Sequence, residues 1–272
     1  MILIGMVSCE LIKEIEYDSN YDGGKIIIHG FISPNDGVRV QINKSVPVND
    51  TRMDDYIPDV LIVLYGNDMP MYNLIEADSG FFISPPDSSL HEGVAYKIKV
   101  TTKDLGVAES GVQYILPEVI IDSLIYKKDT VTWKGERLWF YLDDPEETEN
   151  YYSIGYNAFY KDSLIMSSFN AEAFVLRTFN DMQFNGEKTW EEISFYSSFY
   201  NYDTVKITGR LFNISYDFNH FLESLSEYEY TKEDPFFDYT YPVYSNIKNG
   251  FGIFGSYSFN EKSLAQIKIQ KK

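Results

Sequence analysis

The stretch Pro242-Val-Tyr-Ser-Asn-Ile-Lys-Asn-Gly-Phe-Gly-Ile-Phe-Gly-Ser-Tyr-Ser258 decides how this chain is read. Asn249-Gly250 signals a turn, because both residues tolerate positive φ at little steric cost. Beyond it, Phe251, Ile253 and Tyr257 fall on one face of an extended segment, while Gly252 and Gly255 add almost no side chain. Glycine inside a strand weakens it and marks a bulge or a backbone that another element approaches closely. Phe251–Phe259 therefore predicts a late strand of a β-domain, packed against a neighbour. The stretch holds no nucleophile, metal cluster or phosphate cradle, so its reading is structural.

Working outward, the rest of the chain has the same grain. Lys25–Ile32 is β-branched and apolar, Ser33–Gly37 is a turn, and Val38, Val40 and Ile42 alternate with polar residues as a half-buried strand requires. The apolar run Asp59–Tyr65, segments near Tyr72–Glu76 and Gly80–Ser84, the alternation at Tyr96, Ile98 and Val100, and Gly111–Leu116 complete a set of short strands. Strands at these intervals predict an immunoglobulin-like β-sandwich. Leu116-Pro117 is the expected boundary. Past it, Val119–Lys127, Arg137–Leu142, Tyr151–Tyr160, Ser163–Phe169, Ala173–Phe179, Trp190–Ser198, Thr204–Ile214 and Leu264–Ile269 read as further strands. Phe218, Phe221, Leu222 and Leu225 recur at helical spacing behind Ser215 as N-cap, with Asp217 in the first turn. The expected fold is all-β: residues 1–24 a lipoprotein signal remnant and tether, 25–117 an immunoglobulin-like sandwich, and 118–272 a larger β-rich domain, sandwich or partial barrel, with one packed helix.

Composition narrows the partners. Of the 272 residues, 17% are aromatic, mostly tyrosine and phenylalanine, which favour pleated, half-buried surfaces. The net charge of −18 repels phosphate backbones, and no lysine/arginine cluster interrupts it, so nucleic acid is excluded as a partner. Basic attraction to an anionic bilayer is excluded likewise, and no apolar run is long enough to span one, so membrane attachment has to be covalent. Cys9, the single cysteine, follows Met-Ile-Leu-Ile-Gly-Met-Val-Ser. That placement looks like the tail of a bacterial lipoprotein leader, in which the cysteine is acylated and becomes the mature N-terminus. The basic start and a full apolar core of such a leader are missing, so translation is expected to begin upstream of Met1. Glu10–Gly24 then serves as a tether.

Candidate chemistry is thin. Asp18, Asn20, Asp22 and Gly23 imitate the start of a calcium loop, but its twelfth position is His29 where a glutamate is needed. His29, His91 and His220 are widely spaced and form no metal motif, and no cofactor is expected. The densest carboxylate group is the loop Asp143–Glu149, and a glycosidase needs two carboxylates at a set distance; Trp133, Trp139 and Trp190 are candidate sugar-stacking faces. Such adjacent carboxylates are ordinarily a solvated surface, so no catalytic residue is assigned.

Several segments together carry a resemblance: Lys25-Ile-Ile-Ile-His-Gly30, Ile121-Asp-Ser123, Asp144-Pro145 followed by Asn150-Tyr-Tyr152, Phe179-Asn-Asp181 through Gly186, and Pro242–Ser258. With the cysteine at position 9, these resemble the domain-of-unknown-function 4249 family of Bacteroidetes lipoproteins. The resemblance implies a lipid-anchored protein of the outer membrane or cell surface, often encoded beside TonB-dependent transporters, and it carries over no catalytic residue. The reading is a ligand- or partner-binding accessory to nutrient uptake, taking a glycan or peptide or meeting such a transporter. Its rivals are a glycan-acting hydrolase using paired carboxylates and a structural or adhesive surface protein with the sandwich as a stalk.

Overall fold

A computed structural model describes residues 23–47, 56–128, 135–146, 148–168, 177–195, 199, 202–232, 241–264 and 267–268. Cys9, the calcium-like stretch at 18–22 and Trp133 lie outside the described residues. The first half supplies β1 (Ile26–Ser33), β2 (Gly37–Lys44), β3 (Leu61–Gly66), β4 (Met69–Asn73), β5 (Ile75–Asp78), β6 (Phe81–Ile83), β7 (Tyr96–Thr102) and β8 (Gly106–Ser110). After Pro117 come β9 (Ile121–Lys128), β10 (Glu136–Asp143), β11 (Tyr151–Tyr160), β12 (Ser163–Ser167), β13 (Arg177–Asn180), β14 (Lys188–Phe195) and β15 (Thr204–Ile214). Helix α1 (Tyr216–Lys232), β16 (Ile247–Lys248), β17 (Gly250–Ser263) and β18 (Ile267–Lys268) close the chain.

The architecture is all-β with one helix, as expected. Its spine is one 10-stranded sheet whose main path runs β12-β11-β15-β17-β1-β2-β6-β5. Two smaller sheets, β16-β8-β7-β3-β4 and β14-β10-β9, pack against it. Register shows that both lie on the same face. Gly30 pairs with Phe254 across β1 and β17, and Ser258 pairs with Asn213 across β17 and β15. The face that carries Ile28, Gly30 and Phe254 is therefore continuous with the one that carries Asn213, Leu211 and Ile207. Ile28, Val40 and Phe254 meet Ile62, Leu64, Ile98 and Val100 in one core. Ile154, Ile207 and Leu211 meet Leu138, Phe140 and Leu124 in the other. The opposite face carries Phe31, Phe212, Ile214 and Tyr257, and α1 covers it with Phe218, Phe221 and Leu222. Tyrosine and phenylalanine rings fill this third layer at close range, Phe31 standing 4.7 Å from Phe218.

The two cores change over at Pro117, but the segments on either side of it do not form separate sheets. β1 and β17 pair in parallel over seven residues, Ile26↔Gly250 through Ile32↔Ser256, and Ile247 and Phe254 belong to the first core. The C-terminal stretch therefore completes the N-terminal sandwich, and the expected boundary at Leu116-Pro117 falls between the two cores rather than between two sheets. Gly111–Leu116 is not a strand either. The last strand before the boundary is β8, and the segment after it touches the sheet by a single bridge, Tyr96↔Gln113. Gly111 N–H donates to the Asn246 carbonyl at 2.8 Å, one step beyond the Ile247↔Ser110 pair of β16 and β8.

The glycines of the terminal stretch do what their placement suggests. Gly252 has φ +107°, and a Cβ there would collide with the Ile28 carbonyl of β1. A Cβ on Gly255 would lie 2.8 Å from Cβ of Phe218, so this position sets how closely α1 approaches the sheet. Gly255→Val is expected to lower stability by about 1–3 kcal/mol through overpacking. Gly252→Val should cost more, since it adds left-handed backbone strain to the clash. Urea denaturation of both variants checks this; parent-like midpoints would refute the close approach.

Candidate functional site

On the core-facing side of the spine, between the two cores, the apolar surface gives way to a polar seam. Asn213 from β15 and Ser258 from β17 both donate to the Pro117 carbonyl, at 3.1 and 2.7 Å, and so hold the crossing chain on the sheet. Asn150 reaches the same place, its N–H donating to the Asp181 carboxylate at 2.7 Å and its amide to the Thr148 carbonyl at 2.8 Å. Asp144 accepts from the Tyr152 hydroxyl and, at 2.9 Å, from Gly186 N–H. Asp144, Asn150, Asp181 and Asn213 are all buried, and each has these partners, as buried polar groups require.

The seam opens at the start of α1 into a cleft of about 420 Å³. Its walls come from four separated segments: 112–117 after β8, 148–151 before β11, 213–217 at the β15–α1 junction, and Ser256 of β17. The β-strand run ends at Ile214 because Ser215 caps the helix, its Oγ accepting from Phe218 N–H at 3.4 Å and from Ser256 N–H at 3.2 Å. Tyr114 and Tyr216 stand at the rim, 53% and 55% exposed. Tyr151 stands edge-on to Tyr216 with ring centroids 5.6 Å apart. Two carboxylates line the cleft, and both are already engaged. Tyr151 Oη donates to Glu149 at 2.6 Å. Asp217 accepts from Gln113 Nε2 at 2.7 Å, Asn246 Nδ2 at 2.9 Å and Tyr244 Oη at 2.7 Å.

Those bonds perturb the phenols. Burial first and the Glu149 carboxylate second raise the Tyr151 pKa well above its ordinary value, and Tyr244 rises by burial and Asp217 in the same way. Burial, then Asp144, raises Tyr152 likewise. Tyr156, in the second core, is pushed up to about 12 by burial and, behind it, by Glu136.

The candidates read from sequence do not converge here. Within the acidic loop, Asp143 pairs with Lys188 at 3.5 Å, Asp144 turns inward to Tyr152, and Glu149 alone reaches the cleft; residue 147 lies outside the described residues. Trp139 and Trp190 lie on the outer face of the small sheet β14-β10-β9, where Lys127 Nζ sits 5.1 Å from the Trp139 ring and Trp190 is 53% exposed. His29 touches Phe221, His91 bonds Ser89 at 3.2 Å, and His220 packs 4.4 Å from Tyr244, three separate places. Among the described residues no group of His, Cys, Asp and Glu is arranged to hold a metal ion. A second depression, around Ser33–Arg39 and Ile83–Leu90, has its ionic groups paired internally: Asp36 takes Arg39 at 3.3 Å and the Tyr257 hydroxyl at 2.7 Å. Sequence reasoning missed Gln113, Tyr114, Tyr216 and Asn213, which carry no motif. Only the turn-and-cap signal at Ser215–Asp217 pointed near them.

Two outcomes follow from the buried network. Asp144→Ala strands the buried Tyr152 phenol and releases the Gly186 N–H and should cost about 1–3 kcal/mol, with Asp144→Asn costing less. A thermal melt of both variants measures it. The raised phenols set an alkaline limit. The folded protein keeps these protons where the unfolded chain has begun to release them, so stability is full below the ordinary tyrosine pKa of 10.0 and, for Tyr156, is lost as pH rises toward about 12. Tyr156 contributes a fall of up to about 1.4 kcal/mol per pH unit in that window, and Tyr156→Phe should flatten the slope in urea titrations run from pH 9 to about pH 12.

No curated protein matches this chain. The segments that meet in the seam and in the β1–β17 pairing, Asp144–Tyr152, Phe179–Gly186 and Tyr244–Ser258, lie inside a match over residues 12–263 to the family described as Domain of unknown function (DUF4249), and the chain belongs to that family.

Proposed function

We propose that this protein is a lipid-anchored envelope protein that binds a ligand or partner and serves nutrient uptake at the outer membrane beside a TonB-dependent transporter. The observation that carries the binding part is the cleft at the mouth of the seam. It is open and rimmed by exposed tyrosines, of a volume suited to small ligands. Its two carboxylates hold hydrogen bonds from tyrosine and amide donors. General acid–base work needs a carboxylate within reach of substrate and tuned to exchange a proton. Asp217, held by three protein donors, is built as a fixed acceptor instead, which favours binding over the hydrolase reading. The stalk reading leaves such a cleft without a use.

The anchor and the transporter rest on Cys9 and on what the family resemblance implies. Three acyl chains at Cys9 would hold the protein stably, because one chain alone binds a bilayer only marginally. In the native host, the full-length gene product should fractionate with the outer membrane, take up labelled fatty acid and co-purify with a transporter. Cys9→Ser should release it and abolish the label. Unchanged labelling and fractionation in the variant would remove the anchor from the proposal, and a pull-down without any transporter would remove the uptake role.

A further inference from the structure

The cleft has one polar group left over. Ser256 lines its floor, fully buried. Its backbone N–H donates to Ser215 Oγ at 3.2 Å and its carbonyl accepts from Ser215 N–H at 2.9 Å. Among the described residues its own hydroxyl has no hydrogen-bond partner. Ser258, two residues on and on the same face of β17, spends its hydroxyl on Pro117. A buried hydroxyl without a partner is costly and calls for an explanation. Here it belongs to a residue at the bottom of the cleft.

The walls restrict what that ligand is. Among the described residues no lysine, arginine or histidine lines the cleft, whereas Glu149 and Asp217 do, in a chain of net charge −18. Anions are repelled. The positive end of α1 offers them no compensation, since Asp217 in its first turn already occupies that field. Cations gain little, since three donors from the protein already bind Asp217 and Tyr151 binds Glu149. Peptides are ordinarily taken at a free sheet edge or in an apolar groove. This floor is a hydroxyl flanked by the Asn150 and Asn213 amides, and β17 is paired on both sides. What remains is a neutral molecule that offers apolar faces to aromatic rings and hydroxyls that both donate and accept.

We propose that the cleft binds a neutral oligosaccharide, one sugar ring lying against Tyr114 and Tyr216 and one of its hydroxyls pairing with Ser256. The inference rests on the ligand-binding reading above and gives it a substrate class. Tyrosine suits the rim, because its ring presents an apolar body and its hydroxyl remains in water.

Calorimetry on the purified full chain tests this, with neutral, uronic-acid-bearing and amino-sugar oligosaccharides and a peptide set as probes. Neutral glycans are expected to bind. Tyr114→Ala and Tyr216→Ala should each weaken them about tenfold. Ser256→Ala should weaken them severalfold while melting no lower than the parent, because its hydroxyl has no partner to lose. Trp190→Ala, on the outer face of the small sheet, should change nothing. Binding confined to charged sugars or peptides overturns the class and leaves a binding protein. Neutral-glycan binding that survives both tyrosine variants and is lost in Trp190→Ala overturns the cleft as its place. Absence of any binding, with transporter capture intact, overturns the sugar and leaves a partner-binding role; absence of both overturns the parent reading too.

Discussion

The parallel pairing of β1 with β17 is the constraint on which the rest of the structure depends. Parallel neighbours cannot be joined by a tight turn and need a long crossover. Here the crossover contains every element between β1 and β17, Ile26 pairing with Gly250 and Ile32 with Ser256. Once that register is set, Phe254 faces the first core, Gly255 admits the helix on the other side, and Ser258 holds Pro117 at the seam. A slip by one residue would exchange these faces, putting Phe254 under the helix and Gly255 into the core. Asn246 guards against it: its side chain donates to the Phe254 carbonyl and accepts from Phe254 N–H, both at 2.9 Å, as a neighbouring strand would.

The segments that place the chain in its family prove to be holding parts. Asp144, Asn150, Tyr152, Asp181 and Gly186 tie the loops before β11 and after β13 together beneath the seam. Asn249, at φ +60°, makes the turn into β17, and Gly252 lets that strand lie against β1. These roles need a small residue, a short amide or an acceptor at a fixed point, and none needs a reactive group. That is why such recognisable motifs suggest no reaction. The exposed parts of the cleft, Tyr114 and Tyr216, lie outside the quoted motifs.

Local pattern was legible where local physics decides. The alternation of Val38, Val40 and Ile42 reappears as buried positions of β2, and the helical spacing of Phe218, Phe221 and Leu222 as the stripe that covers the sheet. Glycines 252 and 255 announced a close approach without naming what approached. The partners, Ile28 and Phe218, are distant in sequence for the first and defined only by helix placement for the second. The pairing of β17 with β1 across the Pro117 boundary was hidden for the same reason, since Pro117 is a local break but sheet pairing is not local. Gly111–Leu116 has the residues of a strand, yet past Gly111 its backbone meets the sheet only at Gln113, whose side chain Asp217 holds. The cleft was illegible because four segments with no common motif form it.

The position of β17 also fixes when the molecule can finish itself. A chain emerging from the ribosome presents β1 and β2 early, yet one edge of β1 has no neighbour until residues 250–256 appear. Through most of synthesis the first core therefore lacks Ile247 and Phe254, and an apolar strand, Ile26-Ile-Ile28 at its head, lies open along its backbone. Long-range parallel pairing of this kind closes slowly. Maturation thus waits on β17: the sandwich begun at β1 is sealed only when that strand arrives, and until then its bare edge is a place for a chaperone to bind or for a second chain to add wrongly.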